Sequence, residues 1–133
     1  MTSVRMLQPE HESDAPVTWE DQQNINMFSK LNIRFESTEK AFEEKKREKE
    51  YLDDLSNELE LADEDDPVKY RIGDAYVSLT LADAQARIES EQSKLDQELS
   101  VLGDQLGDIK GESTKLKVLL YAKFGKSINL DVD

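Results

Sequence analysis

Cysteine is absent from this 133-residue chain, which removes disulfides, thiolate nucleophiles and Cys-based metal sites together. Histidine occurs once, as His11, in a polar stretch with no second ligand of its kind nearby. No apolar run approaches the roughly 18 residues a membrane-spanning helix requires, and residues 1–16 lack the apolar core of a signal peptide. The expectation is a soluble intracellular protein, cytoplasmic and with a nuclear role left open, that neither spans nor binds a membrane. No glycine-rich phosphate loop occurs, so no nucleotide cofactor is expected, and no other cofactor is implied. Cations are also scarce: 17 Lys and Arg stand against 30 Asp and Glu, a formal net charge of −13. Counterion release from a phosphate backbone needs a cationic face. This chain has none of sufficient size, so direct contact with nucleic acid is not expected.

What the chain does have is charge and helix formers. Hydrophobic residues make up 37% and charged residues 35%, with five glycines and three prolines. That composition predicts narrow apolar seams on long helices rather than a round core. Residues 1–16, with Pro9, Pro16 and several charges, read as a disordered N-terminal tail. Thr18-Trp19-Glu20-Asp21 is a near variant of the capping box, a hydroxyl followed three residues later by a carboxylate. No Pro or Gly then appears until beyond Ala62, which predicts one helix over about 18–62. Its apolar positions are Ile25, Phe28, Phe35 and Phe42, resuming at Leu52, Leu55 and Leu59. Between them, Glu43-Glu44-Lys45-Lys46-Arg47-Glu48-Lys49-Glu50 has no apolar residue and reads as an exposed, salt-bridged segment. It leaves open whether the helix stays paired there.

Asp63-Glu64-Asp65-Asp66-Pro67 stops the helix. The acidic run does not have the alternating ligands and central glycine of a calcium loop, so it reads as a solvated connection. Val68, Tyr70 and Ile72 then alternate with Lys69 and Arg71, followed by Gly73-Asp74 and a second run to Leu79. Gly-Asp is a two-residue hairpin turn. The register it sets pairs Ile72 with Ala75, Tyr70 with Val77 and Val68 with Leu79, all on one face. A lone two-stranded ribbon is marginal in water, and its open edges call for other strands.

Thr80-Leu81-Ala82-Asp83 repeats the cap and opens a second helix, over about 80–124. Leu81, Ile88, Leu95, Leu102, Ile109 and Leu116 fall at strict seven-residue spacing, with Gln85, Gln92, Leu99, Leu106, Ser113 and Leu120 as companions. That is a coiled-coil pattern. Gly125 sits where a left-handed C-cap belongs. Gly103, Gly107 and Gly111 read as a softer stretch of helix rather than a close-contact face. Folding back about the hairpin brings Leu59 near Gln85, Leu55 near Ile88, Phe42 near Leu102, Phe35 near Ile109, and Ile25 and Phe28 near Leu116 and Leu120. The fold class is therefore mainly α: an antiparallel two-helix coiled coil with one central β-hairpin. The chain ends are rich in apolar residues, with Trp19, Met27, Phe28 and Leu31 from the first helix and Leu119, Leu120, Tyr121, Phe124, Ile128 and Leu130 from the second and beyond. Two helix tips offer too little surface to bury them all, which marks an interaction site.

Tyr70-Arg71-Ile72-Gly73-Asp74-Ala75-Tyr76-Val77 resembles the hairpin of β-type prefoldin subunits. Val17-Thr18-Trp19-Glu20-Asp21-Gln22-Gln23-Asn24-Ile25-Asn26 and Leu120-Tyr121-Ala122-Lys123-Phe124-Gly125-Lys126-Ser127-Ile128-Asn129-Leu130 resemble the helix flanks of eukaryotic members. The likeness covers about residues 17–131 and implies one prefoldin-like domain there. It further implies a hexamer of α-type and other β-type prefoldin subunits that holds unfolded actin and tubulin and hands them to the cytosolic chaperonin without ATP. Carried onto this chain, Val68, Tyr70, Ile72, Gly73, Val77 and Leu79 would serve subunit assembly. Trp19, Ile25, Phe28, Leu120, Tyr121 and Phe124 would meet unfolded protein. The alternative is a structural coiled-coil adaptor in a prefoldin-like complex, which needs the hairpin but has no use for an exposed apolar tip. Catalysis is not expected, because acid–base chemistry needs convergent groups in a concave site.

Overall fold

A computed structural model describes residues 5–6, 16–125 and 128–130. Its elements are strand β1 (Arg5–Met6), helix α1 (Trp19–Glu60), strands β2 (Val68–Ile72) and β3 (Ala75–Leu79), helix α2 (Leu81–Phe124) and strand β4 (Ile128–Asn129). The other positions of the expected N-terminal tail, 1–4 and 7–15, lie outside the described residues, as do 126–127 and 131–133.

Side-chain chemistry sets each boundary. The Asp21 amide donates to Thr18 Oγ1 at 3.1 Å while the Thr18 amide donates to Asp21 Oδ2 at 3.0 Å. This is a reciprocal capping box with Asp in place of the usual Glu. At the far end of α1 the Leu61 and Ala62 amides donate to the Glu58 and Leu59 carbonyls, at 3.1 and 3.2 Å. The final turn thus tightens to i→i+3 bonds, and the helix stops at Glu60 instead of running on to Ala62. Asp63 then gathers the acidic run into a turn, its Oδ1 accepting from the Asp65 amide at 3.1 Å. Thr80 caps α2, Oγ1 accepting from the Asp83 amide at 3.1 Å. Gly125 terminates α2 at φ +59°, the left-handed conformation that glycine adopts without a Cβ clash.

β2 and β3 pair antiparallel with Val68 opposite Leu79, Tyr70 opposite Val77 and Ile72 opposite Ala75, the register the Gly-Asp turn requires. Gly73 stands at φ +61° and Asp74 does not share its positive φ, a pattern of the II′ class of hairpin turn. The Arg71 Nε donates to the Gly73 carbonyl at 2.9 Å.

The chain divides into two compact units, one of residues 41–102 and one combining 1–40 with 103–133. The first, the hairpin unit, buries Leu52, Leu59, Tyr70, Leu81, Ala84, Ile88 and Leu95, with Leu55, Val68 and Leu79 packed against them. The second, the terminal unit, buries Ile25, Phe28, Leu120, Phe124, Ile128 and Leu130, with Leu116 and Tyr121 alongside. Leu31 and Ile109 are buried as well, and Phe35, Phe42 and Leu102 are half-buried.

One seam expectation is corrected. Gln85 is exposed and Ala84, with none of its surface accessible, takes the inward place beside Leu81. Near the other end of α2 the inward companion is Leu120, as the heptad expected. The two observations are consistent with one helix. A strict seven-residue repeat drifts by about 20° per heptad against 3.6 residues per turn. Ala84 and Leu120 stand about ten whole turns apart, so both face inward although they hold different heptad positions. Gly107 and Gly111 make no close approach: a Cβ at either meets nothing within 4 Å.

Candidate functional site

Two surfaces gather the residues singled out in the sequence, one in each unit. In the hairpin unit the ribbon is divided along its length. Tyr70 is only 7% exposed, its hydroxyl donates to Glu91 Oε2 of α2 at 3.0 Å, and the Arg87 guanidinium lies over its ring at 5.4 Å. Burial, and then the neighbouring Glu91 carboxylate, raise the phenol above its ordinary value, so Tyr70 stays neutral and holds the ribbon to α2. Val68 and Leu79 join it against the core. The turn-proximal half is uncovered: Ile72 and Val77 are about 40% exposed and Ala75 is exposed, as is Tyr76 on the opposite face. Among the described residues β2 and β3 pair only with each other, so both outer edges present unpaired backbone groups, and such edges act as templates for further strands. The expected assembly residues therefore separate into inward anchors (Val68, Tyr70, Leu79) and outward groups (Ile72, Val77), with Gly73 setting the turn.

The same unit contains the all-charged stretch of α1. There cross-helix ion pairs stand where apolar contacts are missing: Lys45 Nζ lies 3.1 Å from Glu98 Oε2, and Lys49 pairs with Asp96. Each carboxylate raises the ammonium it faces above the ordinary lysine value. Gln92, a companion position of the heptad, donates from Nε2 to Asp53 Oδ1 at 2.8 Å. The two helices thus remain joined through this stretch by polar contacts.

In the terminal unit the six residues expected to meet unfolded protein fall into three groups. Trp19 is 78% exposed; Tyr121 is half-buried; Ile25, Phe28, Leu120 and Phe124 are core. They are enclosed because Ile128 and Leu130 pack against them. Ile128 and Leu130 are each 2% exposed in the same cluster, and β4 pairs with β1, Met6 opposite Ile128. Among the described residues of this unit the accessible large apolar side chains are instead Val17, Trp19, Met27, Ile33, Val118 and Leu119. Lys123 of the last turn of α2 forms an ion pair with Asp21, so one carboxylate serves both the capping box and the partner helix. Lys123, and next the Thr18 amide, hold the Asp21 carboxyl below its usual 3.8.

The contacts these residues make cannot be read from the sequence. Lys45–Glu98 and Asp21–Lys123 join residues far apart in the chain, and a carboxylate on an exposed helix face looks the same before and after its partner is known. Ile128 and Leu130 are legible as apolar but not as a cover. Among the described residues no group of three or more His, Cys, Asp or Glu side chains is placed to hold a metal ion, and no helix is long and apolar enough to cross a membrane.

Helix, hairpin and helix, with open strand edges beside inward-anchored hairpin residues, form the architecture of an assembly subunit. The family model described as Prefoldin subunit matches residues 22–127. The chain is 41% identical over 128 residues to prefoldin subunit 4 of Saccharomyces cerevisiae, covering 96% of this chain and 99% of that one. It is 36% identical over 121 residues to prefoldin subunit 4 of Homo sapiens, covering 90% of each. A probable prefoldin subunit 4 of Dictyostelium discoideum is 35% identical over 111 residues, covering 84% of each. The chain belongs to the prefoldin subunit family, whose members are co-chaperone subunits, not enzymes, and assemble with one another.

Proposed function

We propose that this chain is a β-type subunit of a cytoplasmic hetero-hexamer of two α-type and four β-type prefoldin subunits. The complex holds non-native actin and tubulin and passes them to the cytosolic chaperonin without ATP. The observation that carries the assembly half is the hairpin, whose inner half is anchored through Tyr70 and whose outer half leaves Ile72, Val77 and two strand edges uncovered. Client holding rests on the accessible apolar residues of the terminal unit, Trp19, Met27, Val118 and Leu119. Several such surfaces in one complex act through effective concentration, so weak contacts add to useful affinity without a deep pocket.

Multi-angle light scattering on the chain alone and mixed with α-type and β-type prefoldin subunits tests assembly. Incorporation into a defined hexamer is expected, and a monomer that ignores those subunits would refute the proposal. The burial of Ile25, Phe28, Leu120 and Phe124 favours a second reading, a structural adaptor that touches no client. Suppression of aggregation of diluted, denatured actin separates the two. Trp19→Ser with Leu119→Ser should weaken suppression without disturbing the hexamer, whereas an adaptor would show no difference from wild type.

A further inference from the structure

Ile128 and Leu130 enter the terminal unit as a bound ligand would. The segment is extended, its side chains at i and i+2 are each 2% exposed among Ile25, Phe28, Leu120 and Phe124, and among the described residues few backbone groups hold it. β4 has a two-residue pairing with β1, and the Leu130 amide reaches the Tyr121 hydroxyl at 3.4 Å, near the outer limit for a hydrogen bond. Leu130 also lines a cavity of about 300 Å³ whose walls include Phe28, Leu31, Asn32, Phe35 and Ile109. In that wall Asn32 Nδ2 is buried and has no hydrogen-bond partner among the described residues. A buried amide donor without an acceptor is costly to a fold. It suits a site that a main-chain carbonyl enters.

We propose that Ile128–Leu130 is a tethered occupant of a peptide groove between α1 and α2. An extended apolar segment of a non-native polypeptide displaces it and runs on into the cavity, where a backbone carbonyl accepts from Asn32. This rests on the client-holding reading above and adds a site and a means of regulating it. The groove is closed by the chain's own strand until a competitor arrives, which protects its aromatic wall from indiscriminate contact. The occupant is peptide in an extended conformation because that is the conformation of the strand already seated there.

The test uses the full chain in the assembled complex and a fluorescein-labelled synthetic peptide, Ser-Ile-Asn-Leu-Ser-Ile-Asn-Leu, which repeats residues 127–130 twice and so reaches beyond the Leu130 position. A tethered competitor acts at an effective concentration on the order of millimolar. Leu130→Ser, which loosens it, should therefore bind the peptide at least about tenfold tighter than wild type by fluorescence anisotropy. Adding Asn32→Leu to Leu130→Ser should weaken that binding about fivefold, while Asn32→Leu alone leaves the melting temperature unchanged or raised. A residue with a purely structural role would lower it. Equal affinity in wild type and Leu130→Ser overturns the proposal. Should Leu130→Ser not fold, saturating peptide must instead accelerate amide exchange of Leu130 in the wild type, and unaltered exchange overturns it. Actin aggregation is followed in parallel. Suppression without peptide binding rejects the groove and leaves the holdase reading in place, and peptide binding without suppression does the reverse.

Discussion

At the scale of single residues, three positions have consequences that follow from elementary physics. Gly107 and Gly111 lie in the interior of α2 with open space where a side chain would stand. Glycine costs a helix roughly 1 kcal/mol relative to alanine, so Gly107→Ala and Gly111→Ala should each stabilise the chain by about that amount, read as a higher urea midpoint. Loss of stability would mean that a neighbour occupies that space in the assembled protein. Asp21 behaves in the opposite sense under acid. Lys123 and the Thr18 amide favour its charged form, so its folded value lies below the 3.8 it has when unfolded. Its contribution is therefore complete above that value and is lost as the pH falls through the folded one. The difference in urea midpoint between wild type and Asp21→Asn should be constant from pH 7 to about pH 5 and shrink below about pH 4. A difference that persisted unchanged at pH 2 would show that Asp21 acts by shape and not by charge.

At the scale of elements, the boundaries and the hairpin were legible because each depends on a short, local pattern. Thr18-x-x-Asp21 and Thr80-x-x-Asp83 announce their helices, Gly125 ends one, and Gly73-Asp74 fixes a register that then places every side chain of the ribbon. What remained illegible depends on partners distant in the chain. Alternation places Tyr70 on an apolar face but does not disclose that this face folds onto Glu91 and Arg87 of α2. A heptad reading selects Gln85 because it assumes a period of 3.5, where the helix follows 3.6 and turns Ala84 inward. The apolar cluster at the chain ends was visible, but its division into core and surface depends on where residues 128 and 130 return. Two predictions belong here. Ile88→Ala, in the core of the hairpin unit, should cost about 2–5 kcal/mol, measured as a loss of helical circular dichroism at lower urea. Gly73→Val puts a β-branched residue at φ +61°, which should cost about 1–2 kcal/mol. It should also slow entry into the hexamer more than it lowers helicity.

At the scale of the whole molecule, the net charge of −13 and the uncovered half of the hairpin act together. Charge keeps unassembled chains apart in solution, and screening begins once the Debye length falls to about 10 Å near 0.1 M salt. Ile72→Asp with Val77→Asp should prevent hexamer formation while leaving the circular dichroism of the helices intact, because neither side chain is buried. Incorporation at the wild-type level would show that partners dock elsewhere. The ribbon also has a valence. A two-stranded sheet with both edges open accepts one neighbour on each side, so it is a divalent unit, and divalent units alone specify either an endless row or a closed ring. Nothing in this hairpin ends a row. A row of such ribbons therefore ends either where a partner of different valence caps an edge or where the twisted sheet meets itself and closes.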